Sequence, residues 1–313
     1  MNRLIITHAN CVDGCCSCAI LKEKYKEEAK YIEVDYADAD PVYPERYNKF
    51  MSEVEHIHNG EVIMADICLK KEIVDMFISK NNEVTIIDHH ATVKPIIDDL
   101  RILKKKNPNI KLNIIFSDDN KESGAMLTWK YVNPQVSPPL LIKLVEDYDL
   151  WKFMYPETKP FHAKLLDNNK QPKDYSKEFF SDLIYNEENL NVLIKEGKGI
   201  YESYINLLND YADKSEEVIL DGKKGLMVNA PMKYRSDLGE IVNQRSGTFA
   251  LIWEEQNDGI VSCSLRSQKG FNVKEIAEKM GGGGHENAAA FRMSTLTEFQ
   301  DLVSPSNRPR RKM

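Results

Sequence analysis

The sequence predicts a two-part α/β protein. Its N-terminal half is a mostly parallel sheet with helices on both faces. A helical connector and a smaller C-terminal α/β domain follow. Three observations lead there. Short apolar, β-type runs alternate with helical segments over the first 150 residues, as strands joined by crossover helices do. Apolar residues then recur at helical spacing through residues 187–211. After Asp221-Gly222 short strands return, two of them flanking the hairpin turn Asn257-Asp258-Gly259.

Taken in order, residues 3–7, 31–35, 61–65, 84–87 and 113–116 read as strands, and 16–25, 70–79 and 123–131 as helices. From residue 134 to about 221 the pattern is helical, with amphipathic stretches at 140–147 and 187–211 and a polar loop at 167–173. Strands are expected at 225–229, 248–253, 260–265 and 288–293, with a helix over 273–280 leading into four glycines. The expected division is 1–155, 156–221 as connector, 222–300, and a basic tail over 301–313. Arg308, Arg310, Arg311 and Lys312 mark that tail as a solvated, disordered end.

The chain's 313 residues suffice for two cores. No apolar run approaches the roughly 20 residues of a membrane helix. The first residues lack the charged start and long apolar stretch of a signal peptide, so a cytoplasmic compartment and no membrane partner are expected. A net charge of −7 argues against a generally polyanion-binding surface, so any polynucleotide contact must be local. Cys11, Cys15, Cys16 and Cys18 crowd together without forming paired C-x-x-C motifs. They read as small packing residues rather than a disulfide or zinc framework.

Polar residues stand at strand ends, where open α/β sheets bind ligands. His8, Asp66 and Asp88 each follow a predicted strand. His8 and Asp13-Gly14 share one loop and suit a divalent metal, although a capped helix start explains them equally well. Asp66 ends an apolar strand, where a carboxylate needs a cation. Asp88-His89-His90 sets two imidazoles after a carboxylate. Glu146 and Asp147 crowd a helix C-terminus, where negative charge is disfavoured. Gly281-Gly282-Gly283-Gly284-His285 would let backbone amides approach an anion, with Arg266 as a planar fork nearby.

His8…Asp13-Gly14, Asp66, Asp88-His89-His90, Ser123-Gly124-Ala125, Asp147, Ser264-Leu265-Arg266-Ser267 and Gly281-Gly282-Gly283-Gly284-His285 occur in that order. The set resembles the DHH phosphoesterase superfamily with its DHH-associated C-terminal domain, over nearly the whole chain. That superfamily includes RecJ-like exonucleases, nanoRNases, cyclic-dinucleotide phosphodiesterases and family II pyrophosphatases.

The resemblance implies a metal-dependent phosphodiesterase or exonuclease acting on short oligonucleotides or cyclic (di)nucleotides. A phosphomonoesterase, a pyrophosphatase and a catalytically decayed nucleotide-binding module are its alternatives. It implies His8, Asp13, Asp66, His89 and Asp147 as ligands of Mn2+, with Asp66 bridging two ions. His90 would face the scissile phosphate and Asp88 would orient a histidine. Arg266, Gly282, Gly283, Gly284 and His285 would grip a substrate phosphate. The two halves are then expected to work as jaws. Cys11 stands where many members carry the first aspartate of Asp-x-Asp, which leaves the second ion open. The expected partner is a small phosphate-containing substrate or short oligonucleotide; a homodimer is left open.

Overall fold

The computed structural model describes residues 2–303. The basic residues Arg308 to Lys312 lie outside the described residues. The chain divides into two compact units between Tyr201 and Glu202.

The first unit is built on five parallel strands, β1 (Arg3–His8), β2 (Lys30–Val34), β3 (Glu61–Ala65), β4 (Glu83–Asp88) and β5 (Leu112–Phe116), in the order β2-β1-β3-β4-β5. Side chains alternate across a strand, so each face can be read off the sequence. Leu4, Ile6, Val62, Met64, Val84 and Ile86 form one face. They pack with apolar residues of α2 (Pro44–Val54), α3 (Lys71–Ser79) and α4 (Lys94–Lys106). Ile5, Ile63, Ala65 and Ile87 form the other face, with Leu21 of α1 (Val12–Tyr25) and Leu127 of α5 (Gly124–Val132). Burial on both faces explains the near-continuous apolar strands.

A further core surrounds Trp129, Phe161 and Phe180. It joins α1 and α5 to α6 (Leu140–Asp149), α7 (Thr158–Leu165) and α8 (Lys177–Tyr185). The segment expected as a connector thus contributes much of its apolar surface to the first unit. α9 (Glu187–Ala212) crosses the division between units.

The second unit is a six-stranded mixed sheet in the order β10-β11-β9-β8-β7-β6. Its strands are β6 (Glu216–Leu220), β7 (Lys223–Asn229), β8 (Phe249–Glu255), β9 (Val261–Ser267), β10 (Gly283–His285) and β11 (Ala288–Met293). β7 and β8 run parallel and the other neighbours antiparallel. Leu208, Leu238 and Val242, from α9 and α10 (Asp237–Ser246), cover Ala250 and Ile252 on one face. Ile276 of α11 (Lys274–Lys279) and Phe299 of α12 (Leu296–Val303) pack with Leu251 and Phe291 on the other. The expected hairpin turn joins β8 to β9, with Gly259 at φ 82°. No helix among the described residues is long and apolar enough to cross a membrane.

Candidate metal centre

Register brings the strand-end residues together. Thr7 pairs with Ala65 and Ala65 with Ile87, so His8, Asp66 and Asp88 lie level on three adjacent parallel strands. Asp66 has just left β3 in a left-handed turn (φ 61°), its amide donating to the Ile87 carbonyl at 2.8 Å. Its carboxylate is fully buried, yet neither oxygen has a hydrogen-bond partner. His8 Nδ1 lies 3.5 Å from one oxygen and His89 Nε2 3.3 Å from the other. Both nitrogens are likewise buried and unpartnered.

The groups around Asp66 are fixed from outside. Asp88 Oδ1 accepts from the amides of His89 (2.6 Å) and His90 (3.0 Å) and pairs with His90 Nδ1 at 2.7 Å. Holding an imidazole by one nitrogen leaves the other as a ligand. His89 is held the same way, its Nδ1 2.8 Å from Asn120 Oδ1. Asp13 accepts from Ser123 Oγ (2.8 Å) and from the amides of Gly124 (2.6 Å) and Ala125 (2.9 Å). Those amides open α5, where a helix start favours an anion. Gly124 also lets the start of α5 come close to Asp66, because a Cβ there would lie 2.5 Å from both Cβ and Oδ1 of Asp66.

The resulting groups form two sets, His8–Asp66–His90 and Asp13–His89–Asp149, each with its donor atoms within 4.8 Å of one another. Asp66 also faces His89, so it touches both sets. Three carboxylates crowd His89 Nε2: Asp66 at 3.3 Å, Asp149 at 3.5 Å and Asp13 at 3.6 Å. Burial opposes a charge on His89, but the close approach of Asp66 and the charges of the surrounding carboxylates push its pKa up to about 10. Burial, then the charges of Asp66 and Asp149, hold the Asp13 carboxyl well above the usual range. Burial also works against ionising Asp66, yet the His8 and His89 imidazoles keep its carboxyl well below that range. This excess of buried acceptors fits a cation, and the nitrogen–oxygen donor sets fit a divalent transition metal.

Several residues are placed differently from the sequence reading. His90 is grouped with His8 and Asp66 as a donor, where it was expected to face phosphate. Asp147 is not brought to the cluster. Its buried carboxylate accepts from the amides of Met154 (2.7 Å) and Tyr155 (3.2 Å) and from Thr158 Oγ1 (2.5 Å). Asp149, two residues on, takes the place beside His89. Positions two apart on a helix point in widely different directions, so only one could reach the cluster. Cys11 stands at the N-cap position of α1, without a side-chain capping bond, and belongs to neither set. Burial, then the nearby Asp66 and Asp13, raise its thiol well above the ordinary range. Tyr36 was not anticipated; its ring lies 5.4 Å from that of His8 and 6.2 Å from that of His90.

In the second unit, Arg235, Arg266, Arg292 and Gly281 to Gly284 line a cavity of about 590 Å³. Burial, reinforced by the charge of Arg235, lowers the pKa of Arg266, as an anion-seeking wall would. Arg266 is aimed by bonds to Ser264 Oγ (2.8 Å) and the Leu265 carbonyl (2.9 Å). The glycines are not a loose loop: Gly283 and Gly284 pair with Ala290 and Ala289. At Gly282 a Cβ would run into the Ala290 carbonyl oxygen. His285, the last residue of β10, pairs with Ala288 of β11 and is not among the cavity-lining residues.

Residues 233–307 match the family model of the DHHA1 domain. The uncharacterized protein R106 of Acanthamoeba polyphaga mimivirus is 26% identical over 307 residues, covering 94% of this chain and 68% of that protein. Among solved structures, the pGpG-specific phosphodiesterase PggH of Vibrio cholerae superposes with a TM-score of 0.51 at 12% identity, over 96% of each chain. The DHH domain of PF0399, a member of a family of ribosomal proteins, gives 0.52 at 13% identity, over 96% of this chain and 84% of that one. At such identities the structural likeness is one of fold.

Proposed function

Taking the chain as a DHH-superfamily protein with a DHH-associated C-terminal domain, we propose that it is a divalent-metal-dependent phosphodiesterase acting on short oligonucleotides or cyclic (di)nucleotides. The observation that carries this reading is Asp66, a buried carboxylate with no hydrogen-bond partner, shared by two sets of donors. His8, Asp66 and His90 would hold one ion, and Asp13, His89 and Asp149 the other. The mixed imidazole and carboxylate donors suit a divalent transition metal, and manganese is the ion that the resemblance to DHH phosphoesterases implies. Bound ions supply a water of lowered pKa and stabilise charge on phosphoryl oxygens.

The chain's own residues orient the chemistry. Asp88 fixes the tautomer of His90, and Asn120 that of His89. The arginine-walled cavity of the second unit is proposed to take a further phosphate of the substrate. The relationship to PggH supports a small phosphodiester as substrate class, because that protein is a pGpG-specific phosphodiesterase.

The test is a screen of di- to hexanucleotides, cyclic dinucleotides, nucleoside bisphosphates and pyrophosphate with manganese. EDTA should abolish turnover and manganese should restore it. Turnover that persists unchanged in chelator overturns the metal mechanism. Hydrolysis confined to pyrophosphate or monoesters overturns the substrate class.

A further inference from the structure

The loop after α6 carries a feature that the metal sets do not use. Two aromatic residues there adopt left-handed backbone conformations, Trp151 at φ 54° and Phe153 at φ 49°. Bulky side chains seldom do so, and such strain persists only where the surroundings enforce it, most often at ligand sites. Asp147 is the enforcer. Its carbonyl accepts from the amides of Lys152 (2.9 Å) and Phe153 (3.4 Å), and its carboxylate from those of Met154 and Tyr155.

The enforced geometry presents an indole to solvent. Trp151 is 55% exposed, although tryptophan is a residue that folding usually covers. Its ring is braced edge-on by Phe153 at 4.7 Å and by Tyr148 at 5.8 Å. Tyr148 in turn stacks on the buried His162 at 3.5 Å. Lys159 Nζ lies 4.4 Å from the Phe153 ring centre, adding positive charge beside the aromatic group. Trp151 follows the donor Asp149 by two residues, so their Cα atoms are within about 7 Å.

We infer that Trp151, braced by Phe153 and Tyr148, is a nucleobase platform for the nucleotide whose phosphate lies at the Asp13–His89–Asp149 set. This rests on the phosphodiesterase reading above. A phosphate ester held by a divalent ion at Asp149 would carry its organic group only a few ångströms away. A flat, polarisable ring is the group that an exposed, rigid indole recognises. Stacking of this kind tolerates any base, since each has a π-face.

Trp151→Gly is the discriminating variant, because glycine accepts positive φ without strain. The full chain is compared with this variant on pApA and on the abasic phosphodiester with the same backbone, with manganese. The wild type should favour pApA by about tenfold in KM, the scale of one stacked base. Trp151→Gly should erase that preference while its Tm holds or rises, and Trp151→Phe should keep much of it. pApA, but not the abasic compound, should quench the tryptophan fluorescence of the wild type more than that of the variant. A Trp151→Gly protein that retains the base preference overturns the platform, as does a wild type with equal KM for both substrates. Quenching without hydrolysis would instead overturn the hydrolytic reading and leave the platform standing.

Discussion

Asp147 and Asp149 show how two identical side chains on one helix end acquire different tasks. Asp149→Asn should remove one manganese equivalent, measured by elemental analysis, with little change in Tm, because its carboxylate is partly exposed and only the cation needs its charge. Asp147→Asn should keep the metal but destabilise the fold by about 2 kcal/mol in urea denaturation, since three donors lose a charged acceptor. The reverse pattern would return the ligand role to Asp147. Gly124 offers a second residue-level test. Gly124→Ala drives a methyl into Asp66 and should abolish metal binding outright in calorimetric titration, whereas a variant that binds manganese normally would show that Asp66 can shift aside.

At the scale of elements, α7 matters through His162. This ring is buried against Tyr148, its Nε2 has no partner, and burial pushes its pKa down to about 3. The folded chain therefore keeps it neutral, while the unfolded chain protonates it near pH 6.5. Its contribution to stability is complete above that value and is lost as pH falls toward 3, by at most about 1.4 kcal/mol per pH unit. Urea denaturation at pH 7.5 and 5 should show a stability loss in the wild type that His162→Phe reduces while keeping the stack. Equal acid sensitivity in both proteins would assign the loss to other groups.

For the whole molecule, the candidate metal-donor sets and the arginine-walled cavity lie in different compact units. Arg266→Ala should raise KM for dinucleotides roughly tenfold, the loss of one charge-assisted phosphate contact, with manganese content unchanged. Loss of metal together with affinity would mean that Arg266 serves the fold rather than the substrate. Manganese added to the EDTA-treated chain should raise its Tm, because an ion that binds only the folded donors shifts unfolding by mass action. An unchanged Tm at saturating manganese would contradict a preformed site.

Local pattern determined much of this protein by itself. Short apolar runs separated by helical segments marked all five parallel strands, and the order of His8, Asp66 and Asp88-His89-His90 at strand ends pointed to the candidate site. Helices with few buried residues escaped the reading, such as α4, where only Ile97 and Leu100 are buried amid charged neighbours. β6 escaped because two glutamates precede its short apolar run, hiding the alternation. The candidate donor sets needed three dimensions. Only the β1–β3–β4 register brings His8 and His90 to one carboxylate, and only the turn after α6 decides between Asp147 and Asp149. Sequence spacing fixes which residues can lie near a strand end; which of them point inward depends on hydrogen bonds made by residues far apart in the chain, such as Asp13 to Ser123 and Gly124.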